Sequence, residues 1–397
     1  MDDWHLETPE TFSYPDEDDE DDTSFSDEED TSSSDDEEIP FNAEEEISIN
    51  DEEEIPLSDE EVIPLSDEED PAPRCAEFPY VVGNSIPLQV KTPQHETMVE
   101  AKIIRLFEPF TFSCAMVVRI DCPALAMDGN EDMVLKVFDR RFSWSSREIS
   151  DVKPWSLELE KDFIQFASGE IGSKFVRALP EGTEEPPRSE WNTSQDEAFL
   201  EYTTTGIFHS ETKSYKLMKD MQGTDIPRLL AKVVLPAGDL ALPEPLEQGH
   251  PGVLLQYIPG FLMSELPYNA PRKLWQLICN DAARIIDRME DMGVLNMDIH
   301  ARSFIVKLDV EEATGFKVTL IDFGVCRFRD EYDNEQKWKV AKAEHVEEQL
   351  QEEGDVGHDM QFSLRGAIEW PRPPEYPKLT IDYDHLGPIP GKLFDDQ

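Results

Sequence analysis

Met292-Gly-Val-Leu-Asn-Met-Asp298-Ile-His-Ala-Arg-Ser303-Phe-Ile-Val306 is followed, after nine residues, by Phe316-Lys-Val-Thr-Leu-Ile-Asp322-Phe-Gly-Val-Cys326. Each half holds a short apolar, β-branched run beside an aspartate, and the two aspartates stand 24 positions apart. Two such runs separated by a short spacer read as the strands of a hairpin. A hairpin of this kind presents both carboxylates at one mouth, and the rest of the chain can be read by what it delivers there.

Immediately upstream, Pro271 to Met292 carries Leu274, Trp275, Leu277, Ile278, Ala282, Ile285, Ile286 and Met289, the stripe of a helix packed on a core. Before it, Gly252 to Ile258 reads as a buried strand closed by Pro259-Gly260, and Ile226 to Leu235 as another. Alternation marks strands at Met98 to Phe107 and Thr111 to Cys122, with a third at Met133 to Phe138. Lys136 lies inside that third run, where a lysine needs a negative partner. Residues 143–206 read as an insertion, with an amphipathic segment Leu157 to Phe166, a Pro-rich break and a helix start near Ser194 to Tyr202. His209 to Met221 reads as a helix with Tyr215, Met218 and Met221 on one face and Glu211 one turn before Tyr215. The sum is a five-stranded antiparallel sheet carrying a helix.

This order resembles the protein-kinase-like fold: a lysine in the third strand, a glutamate in the following helix, an apolar fifth strand, a long helix, a catalytic loop and Asp-Phe-Gly. More narrowly, Val-Leu-Lys136-Val-Phe-Asp-Arg-Arg-Phe, Tyr215 to Gly223, Gly293 to Val306 and Ile321-Asp-Phe-Gly-Val-Cys-Arg-Phe resemble a family of fungal protein-kinase-like proteins, over about residues 97–370. The resemblance implies an α+β bilobal fold: a five-stranded antiparallel N-lobe over 77–258 and a reduced helical C-lobe over 259–370, with a Pro-rich tail at 371–397. It also implies ATP and Mg²⁺ as cofactors and γ-phosphate transfer to a hydroxyl of a protein substrate. Lys136, paired with and aimed by Glu211, or by Glu160 as the alternative, would meet the α- and β-phosphates; Asp322 would hold Mg²⁺, with Ser303 as a second metal ligand; Asp298 would take the proton of the attacking hydroxyl. Gln256, Tyr257 and Ile258 would offer backbone groups to adenine.

The chain departs from that pattern in places. No glycine lies between Arg105 and Cys122, where a flexible Gly-rich loop would cover the phosphates. Ser303 stands where an asparagine ligand is usual, Asn296-Met297 stand where His-Arg precede the aspartate, and no Ala-Pro-Glu follows Gly324. The alternative functions are a pseudokinase acting as a nucleotide- or partner-binding module and a small-molecule kinase. His300 reads as a hydrogen-bonding loop histidine.

The bulk composition bounds the rest. Residues 1–72 hold no Lys or Arg and 33 of the 88 acidic residues, so well over half of the net charge of -53 is concentrated at one end. That segment reads as a disordered tail. Ile55-Pro-Leu-Ser58-Asp-Glu-Glu61 recurs as Ile63-Pro-Leu-Ser66-Asp-Glu-Glu69, with looser copies at Ser26 and Ser34, and serines followed by acids suit acidophilic phosphorylation. The acidity disfavours nucleic acid as a partner. Five cysteines without paired spacing suit a reducing compartment, cytoplasmic or nuclear, and no apolar run approaches the ~18 residues of a membrane span.

Overall fold

Alternation of buried and exposed residues builds the first half of the fold. In the computed structural model, which describes residues 78–91, 96–122, 132–179, 187–237, 249–309, 312, 315–351 and 356–371, six strands form one antiparallel sheet. They are β1 (Ser85–Lys91), β2 (Glu96–Leu106), β3 (Cys114–Ile120), β4 (Asp132–Val137), β5 (Leu229–Pro236) and β6 (Gly249–Gln256). Ordered β1-β2-β3-β4-β6-β5, the sheet closes on itself as a barrel. The acidic segment with Ser26, Ser34, Ser58 and Ser66, and residues 372–397, lie outside the described residues.

This corrects the five-stranded expectation. All five predicted strands are present, but β1 is a sixth, and it closes the sheet by pairing Gln89, Val90 and Lys91 with Val234, Val233 and Lys232 of β5. Pro87 hides β1 in the sequence, because proline inside a run argues against a strand. Here β1 meets β5 only over its last three residues, so Pro87 sits where the strand has a partner on one side alone. Ile86, Leu88 and Val90 then point inward to join Ile103, Met116, Leu135 and Leu254 in the barrel core.

The second half departs as well, since it is not a purely helical lobe. β7 (Phe261–Leu262), β9 (Phe304–Leu308) and β10 (Phe316–Leu320) form a sheet ordered β10-β9-β7, and β8 (Val294–Asn296) pairs with β11 (Cys326–Phe328). Around them lie α5 (Leu266–Asn269), α6 (Arg272–Asp291), α7 (Glu335–Gln351) and α8 (Val356–Ser363). All described residues belong to one compact unit. The architecture is thus a closed six-stranded barrel followed by mixed α/β structure, in place of a bilobal fold with a five-stranded N-lobe. A second hydrophobic core, with Trp275, Met289, Phe304 and Phe323 at its centre, packs beside the barrel core. β6 is a wall common to both, since Leu254 faces the barrel while Val253 and Leu255 face the second core.

Between β4 and β5 run α1 (Trp144–Ile149), α2 (Leu157–Ser168), α3 (Glu170–Ala178) and α4 (Thr193–Leu217). α4 is one unbroken helix of 25 residues, so part of the apparent insertion is the first half of the helix that bears Glu211. Its start is set by a capping box: the Asn192 side chain accepts from Ser194 N and Gln195 N, while Gln195 returns a bond to Asn192 N. The Thr203-Thr-Thr-Gly run, which argues for a break by propensity, is carried through because tertiary packing buries the helix on several sides. Thr203 Oγ1 also bonds back to the Phe199 and Leu200 carbonyls at 3.0 Å each. Among the described residues no helix is long and apolar enough to cross a membrane.

Candidate active site

Three elements converge on Lys136. β4 carries it between Ala115 of β3 and Val253 of β6, at a position where its side chain is almost fully buried. Its Nζ lies 2.9 Å from Glu211 Oε2 on α4 and 2.7 Å from Asp322 Oδ1 beyond β10. Glu160, the other candidate, is engaged elsewhere: both its oxygens accept from Arg140 Nη2, and Oε2 accepts from Trp155 Nε1 at 2.8 Å.

The three charges answer one another. Burial by itself would lower the Lys136 pKa, but the carboxylates of Asp322 and Glu211 outweigh it and hold the ammonium above its ordinary range. For Glu211, burial raises the pKa and wins over the opposing pull of Lys136. Asp322 is also pushed upward by desolvation, yet the charge and hydrogen bond of Lys136 bring its carboxyl below the usual range. Half of the Asp322 side-chain surface remains exposed, so its carboxylate is anchored on one side and open on the other.

α4 also fixes the backbone around Asp322. Glu211 Oε2 accepts a second bond, from Phe323 N at 2.9 Å. Ser210 Oγ donates to the Phe323 carbonyl and accepts from Cys326 N, both at 3.1 Å. The Phe323 ring meets Tyr215 edge-on with centroids 5.4 Å apart. Gly324 permits this approach, because a Cβ there would sit 2.7 Å from Ile207 Cγ2. Asp322 itself has φ +70°, a left-handed conformation that costs a residue other than glycine about 1–3 kcal/mol and persists only where its surroundings over-determine it.

The predicted hairpin is β9–β10, with Phe304 opposite Leu320 and Val306 opposite Val318. It sets Ser303 beside Ile321, whose N–H donates to the Ser303 carbonyl at 2.8 Å. Asp298 stands on the loop before β9. Asn296, 1 % exposed, joins the two aspartates: its Nδ2 donates to the Asp322 carbonyl at 2.8 Å and its Oδ1 accepts from Asp298 N at 3.1 Å. Sequence reading records Asn296 only as a departure from a motif, since nothing in the primary structure shows that its amide spans to Asp322. His300 Nε2 lies 2.7 Å from Asp298 Oδ1.

Other predicted ligands sit differently. The Ser303 hydroxyl, buried, accepts from His300 N at 3.3 Å and faces the Asp298 carbonyl at 3.5 Å, so it is used within the loop. Gln256 N donates to the Arg228 carbonyl and its Oε1 accepts from Arg228 N, which engages this residue at the barrel end; Tyr257 and Ile258 follow it, half-buried and outside any strand. The glycine-free turn between β2 and β3 is tied down: Phe110 is buried, its carbonyl accepts from Trp144 N, and the Phe112 carbonyl accepts from Ser143 Oγ.

Among the described residues no group of three or more His, Cys, Asp or Glu side chains is arranged to hold a metal ion. Asp322 is the carboxylate of the cluster with a side open to solvent, so the cluster could offer a cation one carboxylate ligand, the number with which Mg²⁺ can be held when waters and other oxygens complete its shell. Two shallow depressions lie elsewhere, one lined by Leu277, Asp281, Arg284 and Phe316 and one by Tyr332, Val340 and Ala341, and neither includes a residue of this cluster. No protein-family model matches the chain, and no curated protein matches it.

Proposed function

We propose that this chain is an ATP-dependent phosphotransferase that moves the γ-phosphate to a hydroxyl, a protein being the first acceptor to test, and that it groups with the fungal protein-kinase-like proteins its motifs resemble. The reading rests on side-chain chemistry and not on overall architecture. The observation that carries it is the clamp at Lys136, whose ammonium is shared by a buried glutamate and a half-exposed aspartate, with a second aspartate tied to the same segment through Asn296. Lys136 would offset phosphate charge, Asp322 would hold Mg²⁺ on its open side, and Asp298 would accept the acceptor's proton. A reducing cytoplasmic or nuclear setting suits the free thiols of Cys114, Cys122, Cys279 and Cys326.

The test is thermal melting with ATP, with and without Mg²⁺, followed by ADP formation, in wild type and Asp322→Ala. Lys136 keeps Glu211 in that variant, and far-UV circular dichroism checks that the fold is retained. ATP with Mg²⁺ should raise the melting temperature of wild type and not of the variant, and turnover should fall by about two orders of magnitude. No stabilisation of wild type at millimolar ATP would rule the reading out.

A second reading, a nucleotide- or partner-binding module without turnover, is favoured by the anchored β2–β3 turn and by the commitment of the Ser303 hydroxyl to its own loop. Stabilisation by ATP without ADP formation would select it.

A further inference from the structure

Positive charge is scarce in this chain, 35 Lys and Arg against 88 Asp and Glu, and near β11 most of it is already paired. Lys213 meets Asp330 and Glu331, Arg329 meets Glu335, and Lys337 meets Asp333. Arg327 and Arg302 meet no carboxylate among the described residues, and both are exposed. Arg302 precedes Ser303, whose carbonyl receives the Ile321 N–H; burial raises the Asp322 pKa, Lys136 lowers it most, and Arg302 adds to the lowering. Alternation along β11 turns Phe328 into the core and Arg327 to solvent. Arg327 stands opposite Leu295 of β8, and the pairing runs on until the Met297 N–H reaches the Val325 carbonyl at 2.9 Å, one residue short of Asp298. Three positions at about 3.3 Å each put Arg327 on the order of 10 Å from Asp298. Arg327 also lines a depression of about 330 Å³ with Tyr332, Lys337, Val340, Ala341 and Glu344. The Tyr332 phenolic oxygen is buried and bonds nothing among the described residues, and Val340 exposes an apolar wall.

We infer that the acceptor is a serine in an acidic segment, seated with its hydroxyl at Asp298 and with the carboxylate three residues after it on Arg327. This rests on the phosphotransfer reading. The match is one of length and charge: in an extended chain the third residue past the serine lies about 10 Å from it, and a guanidinium without a partner is the side chain best suited to take a carboxylate in two parallel bonds. In the step itself the serine oxygen forms a bond to the γ-phosphorus of ATP while its proton passes to the Asp298 carboxylate. The bond from that phosphorus to the β,γ-bridging oxygen breaks, and its electron pair leaves with ADP. This chain holds the pattern twice in its own sequence, at Ser58-Asp-Glu-Glu61 and Ser66-Asp-Glu-Glu69, and that stretch supplies the probe.

The experiment uses the full chain, wild type and Arg327→Glu, with a synthetic peptide of residues 55–69 as acceptor. Two further peptides carry Gln at positions 61 and 69, or Lys there. Phosphate on the peptide is read by mass spectrometry, and ADP formation with water alone is followed in parallel. Wild type should take the acidic peptide with a KM at least about 10-fold below that of the Gln peptide. Arg327→Glu should lose that preference and favour the Lys peptide, with KM for ATP and ADP formation in water unchanged; Arg327 is exposed, and thermal melting checks that the variant is folded. Equal KM for the acidic and Gln peptides, no transfer to the acidic peptide, or an Arg327→Glu enzyme that keeps the wild-type order would overturn this acceptor assignment, while ADP formation by wild type would leave the phosphotransfer reading standing. Absence of ADP formation by wild type with every acceptor would overturn that reading, and this assignment with it.

Discussion

Asn296 is the residue on which the two aspartates depend for their relative placement. Its carboxamide is buried, and it uses one donor on the Asp322 carbonyl and its acceptor on the Asp298 N–H. Asn296→Ala removes the side-chain partner of both of those part-buried backbone groups, at a cost of about 1–3 kcal/mol. It should also lower turnover while Lys136, Glu211 and the open side of Asp322 still bind ATP. Urea denaturation gives the first number, and kcat against KM the second; a loss confined to KM for ATP would contradict a role in aligning the aspartates. At this scale the sequence was partly legible. Lys136, Glu211, Asp298 and Asp322 were singled out by type and order, and the structure brings the first, second and fourth into direct contact. Asn296 reads in the sequence only as a departure from a motif, because its value lies in a span of 26 residues that only the packed β8–β11 pair makes short.

Between elements, Arg140 fastens the exit of β4 to the helices. Its guanidinium, with no exposed surface, meets Glu160 of α2 and both Glu197 and Glu201 of α4, and Arg147 adds a second contact to Glu197. The same strand and helix meet again at Lys136–Glu211, so this buried network sets the angle at which α4 presents its glutamate. Three carboxylates around one guanidinium leave an excess of negative charge. Burial, the largest cause, together with Asp139 and Glu160, raises the Glu201 pKa to about 7 against the opposing pull of Arg140. The unfolded chain ionises this group near 4.5, so the stability tied to it is full below that pH and is lost as pH rises through about 7. Glu201→Gln does not titrate. Relative to wild type it should be unchanged near pH 4 and more stable above pH 8, by up to about 3 kcal/mol, as read from urea midpoints at several pH values. An equal difference at both ends of the range would show that Glu201 does not titrate in the fold. The sequence does not show this network: Glu160 reads there only as an alternative partner for Lys136, and an acid-rich helix start reads as a solvated face until the arginine that it encloses is seen.

For the molecule as a whole, closure of the barrel is what the resemblance to a five-stranded sheet did not anticipate. Closure removes the exposed sheet edge that β1 and β5 would otherwise present. It also buries Leu88 completely, in contact with a core shared by all six strands. Leu88→Ala should therefore destabilise the fold by about 2–5 kcal/mol, and amide exchange at Val90 should be protected to nearly the global limit. If β1 were a loose extension, the substitution would be nearly neutral and Val90 would exchange quickly; equilibrium denaturation and hydrogen exchange separate the two.

Read alone, the amino-acid order determined the local elements and the identity of the charged residues. Periodicity and side-chain type are properties of neighbouring positions, so the β9–β10 hairpin, the α6 stripe and the lysine within an apolar strand could all be read directly. Tertiary structure alone decided that β1 closes a barrel, that α4 continues through Thr203-Thr-Thr-Gly, and that Arg140 gathers three glutamates. It also decided that Asn296 and His300 flank Asp298 with their hydrogen bonds already made. Each of these is a contact whose energy comes from burial and from partners distant in the chain, quantities that no local pattern encodes.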